Sequence, residues 1–222
     1  MKNNENLRIK AVVWDWNGTM LNDVHICVDS INVMLKKRNI PLLNYHTYRQ
    51  VFGFPVREYY EKAGFNFHFE PFDIVAVEFI DIYRTHLEKC TLFPETNAVL
   101  AQVSEQGLPQ YVLSAMEQGL LDSSLIAKGI AHHFRFIAGT GDHYADGKSG
   151  SAKRLQKIMD CEPQEVMLIG DTIHDFEVAE EMGWKSILIA NGHQSEERLM
   201  KTGRPVLSSI ALVHKYLNGN YC

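Results

Sequence analysis

The sequence predicts an α/β protein, with a doubly wound parallel sheet as its core and a smaller helical unit inserted after the first strand. Two observations predict this fold class. Short apolar runs bounded by turn residues alternate with stretches of helical periodicity, as in βαβ units. Between residues 21 and 89 this alternation stops and only helical patterns occur. We therefore expect residues 1–20 and 90–222 to form the α/β core and residues 21–89 to form a helical cap domain.

The strands of the core are predicted from short apolar runs. These are Ala11–Trp14, Tyr111–Leu113, Val166–Ile169 and Ile187–Ala190, with a further strand expected at Phe134–Ala138. Strands with one solvent-facing side alternate apolar and polar residues, and most of these runs do not. Continuous apolar runs are typical of strands buried on both faces. The runs therefore predict a parallel sheet covered by helices.

The helices are predicted from apolar residues at helical spacing, with a glycine where a helix has to stop. In the core, one helix ends at Gly107, one contains Leu155, another runs from Asp175 to Gly183, and a last one covers about residues 209–217. In the inserted unit the apolar stripes are Ile31, Met34 and Leu35, and Ala76, Ile80, Tyr83 and Leu87. These stripes predict that the insert is helical.

Composition excludes several classes of function. Of 222 residues, 45% are hydrophobic and 22% are charged, which is typical of a globular protein that folds on its own. The net charge of −5 gives no general attraction for nucleic acid, and no segment has the pattern of a membrane span or a signal peptide. Four cysteines occur without a CxxC pair, so we expect free thiols and a cytoplasmic protein. The oligomeric state is left open.

Polar side chains follow the predicted strands at the point where each strand ends. Residues 15–19 follow the first strand, Ser114 follows the second, and Asp171 follows the third, with Asp175 beyond it. Lys148 begins a helix between them. Ligands of an open parallel sheet bind outside the carboxyl ends of its strands. If the strands are neighbours, these residues converge on one site.

The chemistry of these residues is complementary. Carboxylates held close together repel one another unless a cation neutralises them, and oxygen ligands favour magnesium over zinc or copper. A lysine and a serine hydroxyl are suited to hold the non-bridging oxygens of a phosphoryl group, which leaves one carboxylate for in-line attack. The sequence therefore predicts a Mg²⁺-dependent phosphoryl-transfer site.

In order and spacing, these residues resemble the four signature motifs of the haloacid dehalogenase-like superfamily, and they are most similar to its phosphoglycolate phosphatase-like members with a Rossmann-like core. The resemblance implies a phosphatase that acts on a small phosphorylated metabolite through a phosphoaspartate. It implies that Asp15 is the nucleophile, that Thr19 fixes the loop of Asp15, and that Ser114 and Lys148 bind the phosphoryl group. The implied magnesium ligands are Asp15, Asp171, Asp175 and the backbone carbonyl of Asn17. The residues implied to lie next to the substrate are Trp16, Gly18, Ala115 and Arg57. It also implies that residues 52–57 are a substrate-facing loop.

Asn17 departs from the family pattern. The family's phosphatases have Asp two residues after the nucleophile, where it protonates the leaving oxygen and then activates water. An amide cannot exchange a proton near neutral pH, so Asn17 cannot be a general acid or base. We therefore expect activity that favours activated phosphates, whose leaving groups need no proton.

Two alternatives stay open beside the phosphatase. A phosphonate hydrolase is the first, because Asp15-Trp16 is similar to its motif; its chemistry needs a cap lysine, and Lys62 and Lys89 are available. The second is a weakly active or inactive member that binds a phosphorylated metabolite. A dehalogenase is disfavoured by Asn17 and by the carboxylate pair, because dehalogenation needs no metal.

Histidine is the remaining residue type with acid–base potential. Most of the ten histidines are expected on the surface or in the insert, without a role. Those nearest in sequence to the proposed loops are His25, His143, His174 and His193. None of them is assigned to the site on the strength of the sequence.

Overall fold

The computed structural model describes residues 8–141 and 148–219. The strands are Ala11–Trp14 (β1), Leu21–Asn22 (β2), Thr91–Leu92 (β3), Gln110–Glu117 (β4), Phe134–Thr140 (β5), Val166–Gly170 (β6), Lys185–Ile189 (β7) and Val206–Leu207 (β8). The helices are Val24–Lys37 (α1), Tyr45–Val51 (α2), Val56–Ala63 (α3), Phe72–Leu87 (α4), Thr96–Glu105 (α5), Gln118–Ala127 (α6), Lys148–Ile158 (α7), Ile173–Met182 (α8), Glu196–Met200 (α9) and Val213–Leu217 (α10). Single 3₁₀ turns cover Ala131–His133, Pro163–Glu165 and Ile210–Leu212.

The main sheet has the strand order β5-β4-β1-β6-β7-β8, and all its pairings are parallel. The predicted α/β fold class with a parallel sheet is confirmed. The chain passes from β1 to its neighbour β4 and on to β5, and then returns to β6 on the other side of β1. This reversal leaves the carboxyl ends of β1, β4 and β6 side by side, which is where ligands of such sheets bind.

The core lies on both faces of this sheet. Successive side chains of a strand point to opposite faces, so Val12 and Trp14 pack with one apolar cluster and Ala11 and Val13 with another. The first cluster continues into α1–α4, whereas the second contains residues of α7 and α8 such as Leu155. Among the described residues, no helix combines the length and apolar character needed to cross a membrane.

The short strands are where the sequence prediction of the fold was wrong. No strand was expected within residues 21–89, yet Leu21–Asn22 forms β2 and pairs antiparallel with β3. The edge strand β8 was also not predicted. Each of these strands has two residues, and two residues show no hydrophobic period. The division into a core and a cap domain stays a prediction.

Helices α1–α4 are called the helical segment below, and they dock at the carboxyl end of the sheet through Arg49 and Arg198. On α2, Arg49 Nε donates to Gly192 O at 2.8 Å, and its Nη2 donates to Gln194 O at 2.7 Å. Arg198 on α9 donates from Nη1 to Phe52 O at 2.6 Å. These side chains tie the end of α2 to the loop after β7, so the helical segment covers the strand ends.

Candidate active site

Asp15 lies directly after the central strand β1. Its carboxylate is buried, and its backbone N–H donates to Ile169 O at 2.8 Å, which continues the pairing with β6. The loop turns back at Gly18, whose φ is +72°. A Cβ there would lie 2.3 Å from Asp171 Oδ2, so only glycine fits both the backbone and the close approach.

Asp15 is one of three buried carboxylates that share the site. Oxygens of Asp15, Asp171 and Asp175 all lie within 4.8 Å of one another. The Thr19 hydroxyl is 3.0 Å from Asp171 Oδ1 and 3.3 Å from Asp15 Oδ2, so it donates to one of them at a time. The strand ends therefore bring the predicted acidic residues into one cluster.

Lys148 is the first residue of α7, and its side chain is buried in this cluster. Its Nζ forms an ion pair with Asp15 Oδ1 and another with Asp175 Oδ1 at 2.5 Å. Burial by itself would lower the pKa of Lys148, but the two carboxylates outweigh burial and raise it above its ordinary value. The ammonium group is therefore charged and lies against the Asp15 carboxylate.

One ammonium does not neutralise three carboxylates. Burial raises the pKa of Asp15 well above its usual range despite the adjacent Lys148, and burial also raises that of Asp171. Burial would raise the pKa of Asp175 too, but Lys148 outweighs it and the pKa lies below the usual value. A second cation would relieve this excess of negative charge, and the donor set consists of oxygens only. The residues present therefore fit a hard dication such as Mg²⁺.

Asp175 also forms the N-terminus of α8. Its Oδ2 accepts from Thr172 N at 3.0 Å and from Thr172 Oγ1 at 2.7 Å, while Thr172 caps the helix in return. Oδ1 takes the ion pair with Lys148. Asp175 therefore holds Lys148 in place, and lone pairs remain on its carboxylate for a cation.

Ser114 and Ala115 lie within β4, which extends to Glu117 and so runs past the predicted end of this strand. Ser114 Oγ accepts from Met116 N at 3.1 Å, so its hydroxyl proton stays available for donation. The Ala115 carbonyl accepts from Thr140 Oγ1 at 3.2 Å. Both residues line the same cavity as Asp15.

The side chain of Asn17 is hydrogen-bonded to Asp23, the residue before α1, and to Tyr83 of α4. Its Nδ2 donates to Asp23 Oδ2 at 2.7 Å and to Tyr83 Oη at 2.9 Å. Tyr83 Oη in turn donates to Asp23 Oδ2 at 2.8 Å, and the Gly18 N–H donates to Asp23 Oδ1 at 2.9 Å. Asp23 thus fixes the loop that follows β1 and begins at Asp15.

His193 joins this second group to the acidic cluster. Its Nε2 is 3.2 Å from Asp23 Oδ1, its Nδ1 is 2.9 Å from Tyr48 Oη, and its backbone N–H donates to Asp171 Oδ2 at 2.5 Å. Burial would lower the pKa of His193, but Asp23 outweighs burial and raises it to about 9. The pKa of Asp23 lies below its usual value, because the imidazolium outweighs burial there as well. The two residues form a buried ion pair.

Sequence reasoning missed Asp23, Tyr48, Tyr83 and the role of His193. His193 follows β7, so the rule that selected residues after the other strands would have selected it as well. No comparable signal marks Asp23, Tyr48 or Tyr83. Asp23 contacts the loop after β1 through the local turn at Gly18, and Tyr48 and Tyr83 reach the site from α2 and α4.

Two predicted substrate-binding side chains do not reach the cavity. Trp16 is fully buried in the apolar core, and Arg57 on α3 is exposed, where it pairs with Glu61 at 3.4 Å. From the same loop, Phe52, Phe54 and Val56 do line the cavity. Trp16 does not reach the cavity because it is buried in the core. Arg57 does not reach it because its side chain, in the first turn of α3, is exposed to solvent.

The other histidines near the loops lie elsewhere. His25 is exposed on α1, and His174 stacks on Phe54 with ring centroids 4.7 Å apart. His143 lies outside the described residues. Of the described histidines near the loops, His193 is the one that lines the cavity.

The site opens into a cavity of about 190 Å³ between the sheet and the helical segment. Its polar side, called the floor, consists of Asp15, Asn17, Ser114, Lys148, Thr172 and His193. The side formed by the helical segment, called the roof, includes Phe52, Phe54, Tyr59, Tyr60, Phe79 and Ile80. Charged chemistry is therefore placed on one side and an aromatic wall on the other.

The chain is similar in sequence to a known protein family and to known phosphatases. Residues 12–189 match the haloacid dehalogenase-like hydrolase family. The chain is 23% identical over 199 residues to a phosphoglycolate phosphatase of Chromobacterium violaceum, covering 86% of this chain and 89% of the relative. It is 22% identical over 194 residues to an N-acetylmuramic acid 6-phosphate phosphatase of Pseudomonas putida, covering 84% and 85%.

Solved structures show the same fold. A haloacid dehalogenase-like family hydrolase from Streptococcus pneumoniae superposes with a TM-score of 0.78 at 20% identity, covering 94% of this chain and 98% of that one. The predictions of the superfamily and of a phosphatase are confirmed by the family match together with the phosphatase relatives. With most of its length matched, the chain belongs to the haloacid dehalogenase-like hydrolase family.

Proposed function

We propose that this protein is a cytoplasmic, magnesium-dependent phosphatase that hydrolyses a small phosphorylated metabolite through a phosphoaspartate on Asp15. The observation that supports it most is the buried group formed by Asp15, Lys148, Asp171 and Asp175, which opens onto the cavity. A nucleophile, a phosphoryl-binding cation and a dication site are all contained in these residues. The free thiols of Cys27, Cys90 and Cys161 support a reducing compartment.

Lys148 and Ser114 are the groups that bind the phosphoryl oxygens. The ammonium donates to carboxylates in the absence of substrate, and a phosphoryl group beside Asp15 offers it a further charge-assisted hydrogen bond. Ser114 donates a hydrogen bond to the phosphoryl group through its hydroxyl, since that hydroxyl only accepts from Met116 N. Asp15 then forms an oxygen–phosphorus bond while the bond to the leaving oxygen breaks, and water later hydrolyses the phosphoaspartate.

The residues that would hold Mg²⁺ are Asp15, Asp171 and Asp175, together with the backbone carbonyl of Asn17. When bound, the ion supplies positive charge that offsets the phosphoryl oxygens. The chain's own contribution is to keep the ligands in place: Thr19 and the His193 N–H bond the two oxygens of Asp171, and Thr172 bonds Asp175.

Asn17 sets the kind of leaving group that the site handles well. Its amide is held by Asp23 and Tyr83, and an amide has no proton to give near neutral pH. Positioned general acids contribute roughly 10²–10⁴-fold to such reactions. Rates should therefore rise steeply with leaving-group acidity, in favour of acyl phosphates, phosphoanhydrides and aryl phosphates over alkyl phosphates.

The phosphonate alternative gains no support from the lysines that it needs. Lys62 is exposed on α3, where it pairs with Glu58 at 3.8 Å, and Lys89 is exposed after α4. Neither lines the cavity that contains Asp15. The alternative of an inactive binding protein is decided by the test below.

Phosphate release from acetyl phosphate and phenyl phosphate, measured with Mg²⁺ and with excess chelator, tests the proposal. We expect release with Mg²⁺, loss of release in chelator, and a covalent phosphoryl group on Asp15 in acid-quenched samples. Calorimetric titration with Mg²⁺ should show binding that Asp171→Ala weakens. Saturable binding of substrates without release would identify an inactive binding protein, and full activity in chelator would remove the metal from the proposal.

A further inference from the structure

The roof is a packed aromatic wall. Phe52 contacts Phe54 and Tyr59, with ring centroids 5.8 Å and 5.1 Å apart, and Tyr59 contacts Tyr60 at 5.2 Å. Ile80 and Phe79 continue the same surface along α4. An apolar group that enters this cavity leaves water for a preformed apolar surface, which favours its binding.

The size of the cavity limits the group that it holds. Its volume is about 190 Å³, and an apolar cavity of about 150 Å³ is known to hold a benzene ring. The cavity also has to hold the phosphoryl group beside Asp15, so the organic part of the substrate is at most of the order of one aromatic ring.

The described cavity lining offers no unpaired cation to a negatively charged substrate body. Its two cationic side chains are Lys148, which is paired with Asp15 and Asp175, and His193, which is paired with Asp23. Burying a carboxylate without a partner is costly, and the Asp23 carboxylate in the same lining adds repulsion. The cavity therefore discriminates against an acidic substrate body.

The arginines around the cavity do not change this balance. Arg49 donates to backbone carbonyls of the loop after β7, and Arg198 donates to the backbone carbonyl of Phe52, so neither guanidinium is free for a substrate. Arg57 is exposed outside the lining, beside Glu61. The polar groups that the roof does present are the neutral hydroxyls of Tyr59 and Tyr60; both side chains are buried, and the Tyr59 hydroxyl has no hydrogen-bond partner among the described residues.

We propose that the substrates of this site are phosphates of uncharged, largely apolar organic groups of about one aromatic ring, and not phosphorylated carboxylic acids. This inference rests on the proposed phosphatase function and names its substrate class. The two relatives described above are named for phosphoglycolate and for N-acetylmuramic acid 6-phosphate, which are both phosphorylated carboxylic acids, so the inference distinguishes this chain from them.

The first test compares phenyl phosphate with 3-carboxyphenyl phosphate. Their leaving phenols have nearly equal acidity, so the missing general acid affects both alike and the added carboxylate is the variable. We expect kcat/KM to be about 10- to 100-fold higher for phenyl phosphate. Equal values, or a preference for the acid, would overturn the proposal. The comparison uses the unaltered protein, so no variant has to fold.

A matched pair of variants locates the cause of the preference. Ile80 lines the cavity, whereas Ile74 lies on the same helix with its side chain exposed. Ile80→Arg places a cation in the roof and should reduce the preference for phenyl phosphate at least about tenfold, while Ile74→Arg should leave the preference unchanged. The same preference in Ile80→Arg as in the parent would show that the roof does not select.

Binding of phosphonates separates this inference from the proposed function, because they are not turned over. Dissociation constants of phenylphosphonate and 3-carboxyphenylphosphonate are measured by calorimetry with Mg²⁺. Tighter binding of phenylphosphonate in a protein that hydrolyses none of the esters would support the inference and refute the phosphatase. Hydrolysis of both esters at equal rates would do the reverse. Failure of both phosphonates to bind would overturn the inference.

Discussion

The floor and the roof of the cavity consist of different kinds of side chain, polar and charged in the floor and largely apolar in the roof. The floor carries buried ionised groups, each with a partner: Lys148 with Asp15 and Asp175, and His193 with Asp23. The roof carries rings and an isoleucine from α3, α4 and the loop before α3. Under the two proposals above, the residues after the sheet strands carry out the reaction and the helical segment selects among substrates.

The origin of this difference is geometrical. A parallel sheet brings its strand ends together, so a polar residue after each strand reaches a common point. A helical segment instead presents its apolar stripe to whatever it covers. Asp23 connects the floor to the helical segment, because it accepts hydrogen bonds from Asn17 in the loop after β1 and from Tyr83 of α4.

The strongest way to break the comparison is to remove the proposed nucleophile, Asp15, from the floor. Asp15→Asn keeps the size of the side chain but removes the attacking charge, so kcat should fall by a factor on the order of 10⁴ or more. Binding of phenylphosphonate should persist, because the roof is unchanged. Turnover kinetics and calorimetry on the same preparation measure both. Retained turnover would move the nucleophile elsewhere.

Replacing His193 tests the charged pair between floor and helical segment. His193→Gln keeps hydrogen-bonding capacity but leaves the Asp23 carboxylate buried without its cation, which should cost about 3–5 kcal/mol of unfolding free energy. Urea unfolding with Mg²⁺ present measures this loss. An unchanged midpoint at neutral pH would contradict the buried ion pair.

The same pair sets a pH dependence of stability. The pKa of His193 is raised to about 9 in the folded protein, against about 6.5 when unfolded. Its stabilising contribution is therefore fully present below about pH 6.5 and is lost as the pH rises through about 9. Urea unfolding at pH 6, 7.5 and 9.5 should show the gap between parent and His193→Gln narrowing toward high pH. A gap that widens would reverse the assignment.

Exchanging the amide and the carboxylate at Asn17 and Asp23 tests the missing acid. A single Asn17→Asp change places two carboxylates at hydrogen-bonding distance, whereas the double variant Asn17→Asp/Asp23→Asn keeps the net charge and one amide–carboxylate bond. The double variant should hydrolyse alkyl phosphates about 10-fold faster or more, with little change for acetyl phosphate. Asp23→Asn alone is the control. Equal gains on both substrates would show that proton donation is not what Asn17 lacks.

The smallest effect is expected outside both surfaces. Arg57→Ala removes an exposed side chain that pairs with Glu61 and lies over Phe67 at 5.3 Å, so the unfolding free energy should change by less than about 0.5 kcal/mol. Its kcat/KM for phenyl phosphate should stay within about twofold of the parent. A tenfold rise in KM would return Arg57 to the substrate site, where the sequence had placed it.

How far the sequence predicts the molecule differs between elements. Strand Ala11–Trp14 was predicted with its observed limits, and Gly183 ends α8 in a left-handed conformation as its position predicted. Both rest on local signals, namely an apolar run before a turn and a helix-ending glycine. The two-residue strands β2 and β8 carry no such signal, since they exist only through pairing with a distant partner.

The sequence by itself determined the α/β class and the family motifs, and it predicted that Asp15, Ser114 and Lys148 of the floor lie together, because these follow from periodicity and from what stands after each strand. Only the tertiary structure decided which side chains face the cavity. It placed Trp16 in the core and Arg57 outside, and it brought Asp23 and His193 together. These contacts join residues far apart in the chain, and their geometry depends on how the helical segment docks, which no local pattern records.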